Sequence, residues 1–155
     1  MFRRVTAAYA PKVQDTPLFN FEIAELYGLV GRSSNAVPFY ARALVAQPDF
    51  LNVLNNFSWL LATDPDATLR NGGLAVQHAT RACELTQWKQ PVCMGTLAAA
   101  FAEAGQFDQA IATGLKAVQA ATAVGQSVLA RRNEELLALY RAGKPFHESA
   151  PPLQP

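Results

Sequence analysis

The chain repeats itself. Ile23-Ala24, Tyr27, Gly31, Ala36, Tyr40, Ala43 and Leu44 have counterparts in Leu97-Ala98, Phe101, Gly105, Ala110, Gly114, Ala117 and Val118, all at an offset of 74 residues with no gap. Between them lies a third copy, carried by Phe57-Ser58-Trp59-Leu60-Leu61 and then by Ala75, Ala79, Ala82 and Cys83. Self-similarity at this spacing narrows the fold sharply, because a unit so short is one supersecondary element that buries its apolar face only by stacking on its neighbours. Half of the 155 residues are hydrophobic, much of that half being Ala with Val and Ile sparse. Such a composition favours closely packed helices and argues against a β-sandwich or barrel. The expectation is an all-α chain of about three copies of a two-helix unit.

These residues resemble the tetratricopeptide repeat, a 34-residue helix–turn–helix pattern of large, small and aromatic residues at fixed spacings. The first copy matches from Ile23-Ala24 through Tyr27, Gly31, Ala36, Tyr40 and Ala43 to Pro48, with Asn20 where the pattern has an early Trp. Small residues at 24 and 36 let paired helices approach, and Tyr27 and Tyr40 fill the space between repeats. Gly31 supplies a left-handed turn, Ser33 and Ser34 are candidate caps, and Pro38 is expected in the first turn of the second helix. The middle copy carries an insertion of five residues within Ala62–Gly73. Asp64-Pro65 reads there as an extra turn, and Asn71 as the cap of the next helix. That copy, with Phe57–Thr63 and Ala82-Cys83-Glu84-Leu85, is similar to a variant common in bacterial tetratricopeptide proteins. In the third copy Gly114 replaces the aromatic and Thr122 the final Pro, which predicts a looser outer side.

The resemblance implies an α-solenoid spanning 17–124, with repeats at 17–50, 51–89 and 90–124. A capping helix follows at 126–143, with Leu129, Leu136, Leu137 and Tyr140 on its apolar stripe and Asn133 away from it. Residues 1–16 read as an irregular arm and 144–155, rich in Pro, as a disordered tail. The apolar stretch near the N-terminus is too short for a secretory signal, and two cysteines are too few for a disulfide scaffold, so a cytoplasmic location is expected. The sequence suggests a free-standing version of an end found in longer repeat proteins. No apolar run reaches membrane-spanning length. A net charge of +1 gives no footprint for nucleic acid or an anionic membrane.

Residues for chemistry are scarce. His78 is expected to face outward and His147 lies in the tail. Cys83 and Cys93 can approach across a repeat boundary but have no nearby His, and no metal-ligand spacing or phosphate loop occurs. No enzyme, cofactor or metal site is expected.

A more informative pattern lies at the start of the middle copy. Asn52, Asn55, Asn56, Trp59 and Thr63 form one helical stripe, opposite Leu54, Phe57, Ser58 and Leu61, which must face the core. The resemblance places the first stripe in a concave groove, where the same register adds Leu18, Phe21, Glu22, Glu25 and Leu29 from the first copy and Val92, Thr96, Ala99 and Glu103 from the third. Asn side chains offer donors and an acceptor to an extended peptide, and Trp offers an apolar anchor with one N–H. That groove holds no Lys or Arg. Of the carboxylate clamp of chaperone-binding tetratricopeptide domains only Asn56 is matched, with Phe21, Glu25, Val92 and Thr96 at the other places. The expected function is non-catalytic protein–protein interaction, with a neutral, basic or apolar peptide or helix as partner rather than a C-terminal carboxylate. One alternative is self-association, as a symmetric homodimer, through an uncovered apolar surface at Phe19, Leu26 and Val30. A further alternative is small-molecule binding or an enzyme-accessory role, at a pocket around Trp59 and Arg70.

Overall fold

The computed structural model describes residues 16–150, among which there are seven α-helices and no strand. They are α1 (Pro17–Leu29), α2 (Ser33–Ala46), α3 (Leu51–Thr63), α4 (Gly72–Leu85), α5 (Pro91–Glu103), α6 (Phe107–Ala123) and α7 (Ser127–Arg141). The chain divides into two compact units between Val53 and Leu54, within α3. The expected N-terminal arm, apart from Thr16, and residues 151–155 of the tail lie outside the described residues.

In the first unit the Thr16 hydroxyl accepts from Phe19 N at 3.1 Å and Pro17 opens α1, a pairing that satisfies one orphan N–H and removes another. Gly31, at φ 68°, ends the connection, with Arg32 N bonded to Tyr27 O and Gly31 N to Gly28 O. The short turn returns α2 along α1, with Ala24 and Ala36 fully buried. Two details differ from expectation. Ser33 is the first residue of α2 and Arg32 its uncapped N-cap, while Pro38 lies inside the helix on its exposed side rather than in the first turn. Asn20, at the place of the pattern's Trp, is buried and donates through Nδ2 to Thr16 O at 3.1 Å.

In the second unit Asn71 caps α4 by accepting from Leu74 N at 3.0 Å. The inserted loop is knitted by its own acids: Asp64 Oδ1 accepts from Asp66 N, and Asp66 Oδ1 from Thr68 N. The two Thr68 hydrogen bonds hold the Asp66 carboxyl below the usual range. α5 packs against α4, α6 and α7, so most of its length is buried. Leu54, Phe57, Ser58 and Leu61 of α3 are buried, and the Ser58 hydroxyl donates to Ala75 O at 2.6 Å.

The core of this unit gathers Ala98, Ala102 and Ala110 with Leu136, Leu137 and Tyr140 of α7. Gly114, expected to leave the third copy loose, is buried instead. A Cβ built there would lie 2.8 Å from Leu137 Cδ2, so α7 fills the space of the missing aromatic. Asn133 is likewise buried rather than turned outward, against Gly95 of α5. Among the described residues no helix is long and apolar enough to cross a membrane.

Candidate functional site: the Trp59 face and the segment seated on it

α3 ends with Trp59 half-buried on the α5–α7 core and Thr63 one turn later, its hydroxyl donating back to Trp59 O at 2.8 Å. Back-bonding of this kind occupies the Thr side chain within its own helix. The Thr63 carbonyl is taken too, but by the chain beyond α7: Glu148 N donates to Thr63 O at 2.7 Å. Glu148 Oε1 accepts from Trp59 Nε1 at 2.8 Å. The Phe146 ring lies 6.1 Å from the Trp59 ring, tilted by 36°, and the Arg132 guanidinium of α7 covers it at 4.6 Å. Residues 144–150 have no helix or strand, yet Phe146, His147 and Glu148 each hold a defined partner. A composition rich in Pro and polar residues suggested disorder there; an aromatic able to reach an exposed Trp face supplies the apolar contact that such a segment otherwise lacks.

Glu103, at the end of α5, closes the other side. Its Oε1 accepts from Arg70 Nε at 2.9 Å, with both side chains only 15% exposed, and its Oε2 lies 2.6 Å from His147 Nε2. A carboxylate only accepts, so Nε2 carries the proton in this pair. The inserted loop positions Arg70 by giving two carbonyls to its guanidinium, Asp64 O at 2.7 Å and Pro65 O at 3.4 Å. Glu103 thus faces the Arg70 guanidinium and an imidazole N–H, and Trp59 an acceptor.

The expected site residues, Thr96 apart, sort into three groups. Trp59, Thr63 and Glu103 come together around the tail. Asn55 and Asn56, half-buried, bond to each other at 3.1 Å from Asn55 Nδ2 to Asn56 Oδ1, and Asn52 is exposed. Phe21 and Glu25 are engaged inside the first unit, Phe21 with the Phe50 ring at 5.3 Å and Glu25 as acceptor of the Tyr40 hydroxyl. Neither Thr63 nor Thr96 lines an open surface: Thr63 is buried at the end of α3, and Thr96 and Ala99 are buried because α5 is packed by α4, α6 and α7. The expectation of a face without Lys or Arg also fails, since Arg70 and Arg132 reach it from a loop and from α7. Helical register shows which residues share a stripe, but it is silent on what other elements deliver to that stripe.

Elsewhere, burial leaves little for covalent chemistry. Cys83 and Cys93 are buried. Burial, the neighbouring Cys93 and Glu84 push the Cys83 thiol up to about 12, and burial also raises Cys93, so neither is a thiolate near neutrality. His78 is not turned outward but stacks on Phe57 at 5.7 Å, and burial lowers its pKa. Among the described residues no group of three or more His, Cys, Asp or Glu is placed to hold a metal ion. No protein-family model, curated protein or solved structure matches the chain.

Proposed function

We propose that this chain is a non-catalytic protein-interaction module of tetratricopeptide type, which holds an extended peptide of a partner against the Trp59 face. In this reading α1–α2, α3–α4 and α5–α6 are three repeats of an α-solenoid and α7 is its cap. The observation that carries it is the backbone hydrogen bond from Glu148 N to Thr63 O beside the Trp59–Phe146 contact. A main-chain hydrogen bond combined with an aromatic anchor is how extended segments are commonly captured on a folded surface. The buried, protonated thiols and the prior engagement of both histidines support the non-catalytic part. Panning the full chain against a random peptide display library tests the reading: enriched peptides should lose at least tenfold in affinity against Trp59→Ala. Failure to enrich, or enrichment indifferent to Trp59, would count against it.

Self-association is a second reading, favoured by one specific observation. Leu26 and Leu29 of α1 and its C-cap Val30 are 58, 83 and 67% exposed, an apolar cluster at helical spacing. Light scattering at rising concentration decides it, and a strict monomer at high concentration removes it.

A further inference from the structure

The segment on the Trp59 face has an internal logic beyond the fact of its being there. In an extended chain alternate side chains share a side. Phe146 and Glu148 both engage Trp59, one on the ring and one at Nε1, while His147 between them turns to Glu103. The face therefore distinguishes three consecutive side chains: an aromatic under Arg132, an N–H donor for Glu103, and an acceptor for the indole N–H. Pro145 restrains the approach, since the residue before a proline favours extended backbone.

Resting on the peptide-binding reading above, we propose that this face selects partner segments carrying an aromatic, a side-chain N–H donor and a carboxylate at three successive residues. Phe146-His147-Glu148 is the chain's own copy of that signature, held in cis until a partner segment displaces it. Phe146 is half-buried and His147 and Glu148 are exposed, and polar contacts at so exposed a site contribute little individually, as a displaceable occupant requires. Tethering compensates: a short linker gives an effective concentration of about millimolar. A segment whose trans affinity is about 0.1 mM would then keep the face closed about ten to one and lower a partner's apparent affinity about tenfold.

The test uses the full chain and a fluorescein-labelled peptide of residues 143–150, followed by anisotropy. The double variant Phe146→Ala, Glu148→Ala should bind this peptide at least tenfold more tightly than the unaltered chain, and a peptide with the three residues in another order should lose at least tenfold. Equal affinity for the two chains, or equal binding of the reordered peptide, overturns the proposal. Should the double variant lose helicity, the single Glu148→Ala chain makes the same comparison, with a severalfold gain expected and no gain overturning it. Concentration-dependent dimers of the unaltered chain that disappear with Phe146→Ala would show tails exchanged between copies, and would overturn occupation in cis. Display enrichment that depends on Trp59 but lacks the signature defeats this proposal and leaves peptide binding standing; no enrichment at all defeats both.

Discussion

A methyl group added at position 72 would meet backbone, whereas one added at 114 would meet only the end of a side chain. The Cβ of Gly72→Ala would lie 2.5 Å from Ala104 N and 2.8 Å from its Cα, at the approach of α4 to the end of α5. Main chain at the start of one packed helix and the cap of another yields far less readily than a side chain, so this substitution is expected to cost about 2 kcal/mol or more in denaturant unfolding. At Gly114 the obstacle is Leu137 Cδ2, at 2.8 Å, which can turn aside. Gly114→Ala should cost less than about 1 kcal/mol, whereas Gly114→Phe, the aromatic of the repeat pattern, should displace α7 and cost several times more. His78 gives a pH signature at the same scale. Burial lowers its folded pKa from 6.5, so the unfolded chain takes up the proton first and stability falls as the pH drops through that value. The difference in unfolding free energy between His78→Phe, which retains an aromatic for stacking, and the unaltered chain should therefore shift in favour of the variant from pH 7.5 to 5.5. No such shift would remove the burial argument.

Four helix ends keep one local rule and a fifth breaks it. α1, α5, α6 and α7 are each followed by a glycine at positive φ, Gly31, Gly105, Gly125 and Gly143, with the same pair of crossing backbone hydrogen bonds. α4 closes with the same bonds, Trp88 N to Cys83 O and Gln87 N to Glu84 O, but places Gln87 at φ 53° and Trp88 at φ 58°. A left-handed residue other than Gly costs about 1–2 kcal/mol, partly offset by the larger unfolded-state entropy of Gly. Gln87→Gly is thus expected to stabilise by about 0.5 kcal/mol, read as a rise of about 1–2 °C in Tm; a fall would contradict the strain. Features of this local kind were the ones legible in the sequence: the turn at Gly31, the Asn71 cap, and the buried stripe of Leu54, Phe57, Ser58 and Leu61. Pro38 misled because proline rules fix a local preference but not the register in which a helix begins. Thr96 and Asn133 misled because their burial depends on α5 and α7 meeting at Gly95, which no helical period encodes.

For the chain as a whole, helical content and the two-helix periodicity were readable before any coordinates, whereas the occupant of the candidate site was not. Trp59 and Glu148 are separated by 89 residues, and the tail has no periodicity to mark it as structured. Its one visible signal was a lone Phe between Pro145 and His147 in an otherwise polar stretch. Arg70 was visible as a loop residue, but its destination on Glu103 follows from the carbonyls of Asp64 and Pro65, that is, from loop conformation. Peptide capture as proposed above depends on Trp59 as the anchor of an extended segment. The chain contains two tryptophans, and Trp88, 46% exposed, serves as an internal control. The most direct measurement is a nuclear magnetic resonance titration of the Phe146→Ala, Glu148→Ala chain with the peptide of residues 143–150, following both indole N–H resonances. A saturable shift of the Trp59 resonance with Trp88 unmoved is expected; a shift confined to Trp88, or none at either position, would rule out Trp59 as the anchor.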